Sequence, residues 1–331
     1  MTAEPTVLVT DIAWDTTEIE AAVLAPAGAR LVLAERGDEE ELLALVPDAD
    51  AILTCFAHVT AAVVAAGPRL KVIGRYGVGT DNIAVDEATR REILVTNVPV
   101  YCTDEVAEHA LGLLLCMVRG IHRYDPAVRR GDWSLATGLP TRRVAGRTLG
   151  VLGFGPIGRR LAERARAFGL EVIVHDRNPD EVAADGFEPV GLEELARRSD
   201  FVSLHLPLTD ETRGLVGARF LDGMRPGAYL VNCARGAIVD HEALARALEQ
   251  GTIAGAAMDV FEPERLPADH PLLAQPDLLA TPHTAFYSEE SMQDLARLAA
   301  ENVAAVLGGR RPAETVNPEL LARPRWAHLA P

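Results

Sequence analysis

Three segments carry the residues best suited to chemistry, and each stands just after an apolar run of strand length. Val231-Asn232-Cys233-Ala234-Arg235-Gly236 follows the run at 228–232, Met258-Asp259-Val260-Phe261-Glu262-Pro263-Glu264 follows 254–258, and Thr281-Pro282-His283-Thr284 follows 278–281. Ligands of open parallel sheets gather outside the carboxyl ends of the strands, so an arginine, an acid and a histidine in equivalent positions are expected to converge on one crevice. Arg235 offers a planar fork for a carboxylate or carbonyl oxygen. His283 can take and give a proton, and a carboxylate beside it would hold its tautomer.

The elements that must position these groups are legible as alternation. Short β-like runs at Val7-Leu8-Val9, Leu31-Val32-Leu33, Ala51-Ile52-Leu53, Val72-Ile73 and Ile93-Leu94-Val95 are separated by helical stretches, and a second series starts at 149–152 and continues at 171–175, 201–206, 228–232, 254–258 and 278–281. Two such series predict an α/β chain with two doubly wound parallel sheets. Between them Thr103 to Arg119 reads as one apolar helix, with Asp104 and Glu105 in its first turn. A second long helix, about Glu289 to Leu307, places Met292, Leu295, Ala299, Val303 and Val306 on one face. The two helices would join the domains, and the end, 323–331, is expected to be loosely ordered.

The second series opens with Gly153-Phe154-Gly155-Pro156-Ile157-Gly158, placed between an apolar run and a helical pattern, and Asp176 stands 18 residues beyond Gly158. Glycine triplets recur in turns, but this context is the one a dinucleotide fingerprint requires. Gly153 would make the tight turn, Gly155 let a pyrophosphate approach the backbone, and Gly158 let helix and strand pack closely. Asp176 would accept from a ribose 2′-hydroxyl, which predicts NAD; Arg177 is the one neighbour able to tolerate a 2′-phosphate.

Bulk properties exclude other classes. A formal net charge of −16 repels phosphate backbones and anionic membranes, so neither nucleic acid nor membrane is an expected partner. Cys55, Cys102, Cys116 and Cys233 form no C-x-x-C pair, which argues against a zinc site or disulfide framework. The start, Met1-Thr2-Ala3-Glu4-Pro5, has no basic and apolar leader, and the longest apolar stretch is Ala110 to Val118, too short for a span; a cytoplasmic protein is expected.

From about Leu70 to Ser291 the chain resembles the D-isomer-specific 2-hydroxyacid dehydrogenase family. The resemblance rests on Tyr76-Gly77-Val78-Gly79-Thr80-Asp81-Asn82-Ile83, Asn97-Val98-Pro99, Val106-Ala107-Glu108-His109-Ala110, the glycine loop, Leu206-Pro207-Leu208-Thr209, and the three segments named first. It implies a flavodoxin-like substrate domain made of 1–100 and 287–331 and a Rossmann NAD-binding domain at 101–286. It implies that Arg235 binds the substrate carboxylate and carbonyl, that Glu264 pairs with His283, and that His283 is the general acid/base. Asp259 would hold the nicotinamide carboxamide, and Pro156, Ile157, Pro207, Thr212 and Cys233 would line the cofactor. Backbone N–H groups of Val78 and Gly79 would take the substrate carboxylate, with Tyr76 and Tyr101 edging the pocket, as would Phe56, Ala57 and His58.

The expected reaction is hydride transfer between NADH and a 2-oxo acid, giving a D-2-hydroxy acid. Within the family the segment 282–288 looks most like the branch of D-lactate-type dehydrogenases and C-terminal-binding-protein corepressors, although Phe286 stands where the corepressors carry tryptophan. Glu264 argues against the formate-dehydrogenase branch. An NADH-binding corepressor-like protein with weak turnover and a phosphite-type dehydrogenase stay open as alternatives. A homodimer is expected, organised around the helix at 103–119, whose stretch from Ala110 to Val118 is apolar almost all round.

Overall fold

The computed structural model describes residues 4–138 and 140–330. They fall into two compact units, Met1–Cys102 with Ser288–Pro331, and Thr103–Tyr287. The chain passes between units just before each of the two long helices. Each helix therefore belongs to one unit: Thr103–Val118 to the second, Glu289–Leu307 to the first.

The first unit is built on a five-stranded sheet of β1 (Thr6–Val9), β2 (Arg30–Leu33), β3 (Ala51–Thr54), β4 (Val72–Arg75) and β5 (Leu94–Thr96), in the order β2-β1-β3-β4-β5. Every pairing is parallel, with Val7 opposite Ala51 and Ile52 opposite Ile73. This is the flavodoxin-like order. β1 and β3 are buried at every residue, as strands covered by helices on both faces must be. The helix Glu289–Leu307 starts in a capping box, Ser291 N–H donating to Ser288 Oγ and Ser288 N–H to Ser291 Oγ, and buries all five residues of its expected face.

The terminal segment is docked rather than loose. Trp326 is 3% exposed and its indole N–H donates to the Glu92 carbonyl. Asn317 closes the same edge, accepting from Val95 N–H and donating to Ile93 O and Thr89 Oγ1. Polar side chains thus satisfy the backbone at the end of β5, and the aromatic ring is buried behind them.

The second unit holds a seven-stranded parallel sheet: β6 (Thr148–Leu152), β7 (Glu171–His175), β8 (Glu188–Pro189), β9 (Phe201–Leu204), β10 (Tyr229–Asn232), β11 (Gly255–Met258) and β12 (Leu278–Ala280). Its order, β12-β11-β10-β9-β6-β7-β8, is the Rossmann order carried one strand further. The chain reverses direction across the sheet between β6 and β9, where a crevice opens. The helix Thr103–Val118 packs on the helix Pro156–Ala167 and on β10 and β11. Leu111, Leu113, Leu114, Met117 and Val118 are buried within the single chain, so this helix does not leave the uncovered apolar face expected of it. The exposed apolar side chains follow it instead: Ile121, Val128, Trp133 and Leu135.

Candidate active site

The glycine loop after β6 is shaped by close approach. Gly153 has φ +99, and a Cβ there would stand 2.5 Å from the His205 carbonyl oxygen; a Cβ on Gly158 would meet the Gly153 oxygen at 2.1 Å. Gly155 differs, because a Cβ on it would meet nothing within 4 Å. It is the N-cap of the helix Pro156–Ala167, with Pro156 and Ile157 in the first turn, so an open space lies at a helix end whose N–H groups lack intrahelical acceptors. Such a cradle fits a diphosphate. Asp176, at the end of β7, accepts from Phe154 N–H at 2.7 Å and from Asn178 N–H at 2.9 Å, which fixes its carboxylate beside the loop.

The neighbouring strand ends complete the crevice. After β9, His205 contacts Ser203 Oγ through Nε2 at 2.8 Å, and burial pushes its imidazole down to about 4. Thr212 Oγ1 donates to the Pro207 carbonyl at 2.7 Å and closes the loop between them. After β10, Asn232 folds the turn that bears Cys233 and Arg235: its Nδ2 donates to Arg235 O and its Oδ1 accepts from Ala234 N–H, both at 2.9 Å. Burial raises the Cys233 thiol well above its ordinary range, so it stays an uncharged wall. The Arg235 guanidinium rests on the Ala234 carbonyl at 2.8 Å.

His283 and Glu264 meet, His283 Nδ1 lying 2.5 Å from Glu264 Oε1. With Nδ1 so engaged, Nε2 is the nitrogen that can exchange a proton with a substrate oxygen. His283 has φ +56, a strained conformation for a non-glycine residue, and the cause is Asp259. The Asp259 side chain is fully buried. Its carboxylate accepts from Thr281 Oγ1 at 2.5 Å and from the N–H groups of Thr284 and Ala285, both at 2.9 Å, and its carbonyl accepts from His283 N–H at 2.7 Å. His109 Nε2 lies 3.6 Å from the same carboxylate. Asp259 thus holds the turn around His283, with Oδ1 accepting from Thr281 and Thr284 and Oδ2 from Ala285. Asn232, Thr281 and His109 are parts of the site that residue types alone did not single out, although all three lie in the recognisable motifs.

In the first unit the turn after β4 presents amides. Val98 N–H donates to Gly77 O at 2.9 Å and Asn97 Nδ2 to Val78 O at 2.7 Å, so the carbonyls are tied back. The N–H groups of Val78 and Gly79 meet no backbone acceptor among the described residues, and Val78 is 38% exposed. Tyr76 is turned away from this opening: it is 1% exposed and donates to Glu20 Oε1 at 3.0 Å, an acceptor shared with Trp14 Nε1. Tyr101 is partly buried, and burial raises its phenol. The 55–57 loop is held by Asp11, which accepts from the N–H groups of Cys55, Phe56 and Ala57, and by Asn82, which donates to Cys55 O and Ala57 O. Phe56 and His58 both stand exposed on it.

A Rossmann sheet with a diphosphate cradle, beside a histidine–carboxylate pair and an arginine, defines a nicotinamide-dependent oxidoreductase acting on a small oxo acid. Residues 111–285 match the family described as D-isomer specific 2-hydroxyacid dehydrogenase, NAD binding domain. The chain is 42% identical to a glyoxylate reductase of Korarchaeum cryptofilum over 83% of its own length and 85% of that protein. Among solved structures, a glyoxylate reductase from Paecilomyes thermophila superposes with TM-score 0.88 at 31% identity, covering 96% of this chain and 100% of that one. A D-lactate dehydrogenase from Aquifex aeolicus, complexed with NAD and lactic acid, gives TM-score 0.84 at 28% identity, covering 92% and 96%. The chain belongs to the D-isomer-specific 2-hydroxyacid dehydrogenase family. It is an NAD-dependent oxidoreductase that interconverts a 2-oxo acid and a 2-hydroxy acid.

Proposed function

We propose that the favoured substrate is a small 2-oxo acid of the glyoxylate class, reduced to its 2-hydroxy acid. The observation that carries the mechanism is the 2.5 Å contact between His283 and Glu264, which dedicates one ring nitrogen to the carboxylate and the other to the substrate oxygen. The bound nicotinamide supplies the hydride. His283 gives its proton to the oxygen that becomes the hydroxyl. Arg235 binds the carboxylate and carbonyl oxygens and holds the negative charge that grows there, the larger contribution to lowering the barrier. The N–H groups of Val78 and Gly79, which meet no backbone acceptor among the described residues, are assigned to a carboxylate. The reading of glyoxylate rests on the relatives that carry that name.

A panel of 2-oxo acids of increasing side-chain size, followed by NADH absorbance, tests this. Glyoxylate is expected to give the highest kcat/KM, with NADH preferred over NADPH by at least roughly tenfold because Asp176 repels a 2′-phosphate. A branched 2-oxo acid in first place would overturn the substrate assignment. Better use of NADPH would show that Arg177 dominates.

A homodimer is proposed on the exposed apolar side chains after the helix Thr103–Val118, where Trp133 and Leu135 are each 80% exposed. A cytoplasmic location is supported by the wide spacing of the four cysteines, which form no C-x-x-C pair; no helix among the described residues is long and apolar enough to cross a membrane.

A further inference from the structure

Glu264 stands on an exposed loop, and what keeps it against His283 is not evident from the loop itself. Residues 262–265 are all exposed, and Glu264 is 51% exposed in its side chain. The two stems of the loop are Phe261, where it leaves the core, and His270, where it re-enters ahead of the buried Leu272. Both stems pack on one residue of another element, His241. The His241 ring lies 6.0 Å from the Phe261 ring and 6.2 Å from the His270 ring, edge to face with the latter. His241 is 8% exposed, and its Nε2 is buried with no hydrogen-bond partner. A second close fit lies beside it. A Cβ on Gly236 would stand 2.1 Å from the carbonyl carbon of Phe261, so the turn after Arg235 touches the same stem backbone to backbone.

We propose that His241 is a positioning residue, a clasp joining the two stems of the Glu264 loop, and that it works only while its imidazole is neutral. The inference rests on the assignment of Glu264 as the partner of His283. Three ionisable groups face the ring: His270 opposes its protonation, whereas Glu262 and Asp240 favour it. Burial is the largest influence and lowers the His241 pKa below the ordinary imidazole value, outweighing a hydrogen bond to the Glu262 backbone that raises it. His241 is also the first residue of the helix His241–Glu249, where a cation meets the positive end of the helix dipole. Below that lowered pKa, and so on the acid side of the ordinary value of about 6.5, falling pH places a buried charge with an unpartnered N–H between the stems, beside His270. The clasp then loosens and Glu264 is no longer held.

Three variants of the full-length protein test this, each read by a pH profile of 2-oxo acid reduction and by NADH fluorescence titration. His241→Ala should lower kcat on the order of 10- to 100-fold, because a misplaced loop costs that much, and leave the NADH Kd within threefold. His241→Phe keeps an aromatic ring between the stems and cannot be charged. It should retain most of the wild-type rate at pH 7 and lose the acid-side decline of the wild type. That decline is not due to the proton donor, since reduction consumes a proton and acid favours it. Glu264→Gln separates the two readings. If it lowers kcat while His241→Ala does not, the clasp is wrong and the site assignment stands. If Glu264→Gln leaves kcat unchanged, the assignment fails and takes the clasp with it. An acid limb in His241→Phe identical to that of the wild type would overturn the pH-dependent part.

Discussion

The backbone N–H of His283 donates to the carbonyl of Asp259 at 2.7 Å, while the Asp259 carboxylate accepts from Ala285 N–H two residues further on. One buried residue thus holds both ends of the turn that displays the proton donor. Asp259→Asn keeps one acceptor oxygen and sets an NH₂ group against a backbone N–H. It should cost about 1–3 kcal/mol of stability and lower kcat at least tenfold, with a smaller change in KM. Urea melts and steady-state kinetics on the same preparation check both halves.

The glycine loop makes a prediction in which two similar substitutions fail differently. Gly158→Ala brings a methyl group to 2.1 Å from the Gly153 oxygen, so it should destabilise the fold itself. Gly155→Ala meets nothing within 4 Å in the protein and should fold with an unchanged Tm, yet weaken NADH at least tenfold because the methyl stands where the diphosphate approaches. Thermal melts with and without NADH distinguish the two.

Much of this arrangement is legible in the sequence, because its signals are local. Eleven strands announce themselves as apolar runs, and the glycine loop, Arg235 and His283 sit in motifs tied to strand ends. The two-residue edge strand Glu188–Pro189 is too short to show a period. Tyr76 misleads for another reason. It follows β4 beside amides without a backbone acceptor, and the partner that turns it inward, Glu20, is 56 residues away and itself buried. The docked tail depends likewise on Asn317 and Trp326 reaching backbone groups more than 200 residues earlier. Asp259 was legible as a functional acid, but its hold on residues 281–285 depends on the fold of that turn, which no residue pattern states.

His205 gives a stability signature. Its folded-state pKa is lowered to about 4, so between the ordinary value and pH 4 the unfolded chain binds a proton that the folded chain refuses. Stability should therefore fall as the pH drops through that window. Between pH 7 and pH 5 this one group accounts for roughly 2 kcal/mol. Urea melts of wild type and His205→Gln at both pH values check it; the variant should be less sensitive to pH by about that amount.

The exposed apolar side chains at Trp133 and Leu135 should be the contact between two copies. Light scattering at micromolar concentration is expected to give a dimer for the wild type and to shift toward monomer in a Trp133→Ser, Leu135→Ser double variant. A monomer mass for the wild type would end the proposal.

The central claim is that His283, held by Glu264 and Asp259, moves the proton while the glycine loop and Asp176, away from it, hold the cofactor. Single-turnover reduction of the best 2-oxo acid by His283→Ala, run beside an NADH titration of the same variant, tests it most directly. The rate should fall about 10²- to 10⁴-fold while the NADH Kd stays within a few fold. A rate within a few fold of wild type would assign the proton to another residue and contradict the account at its centre.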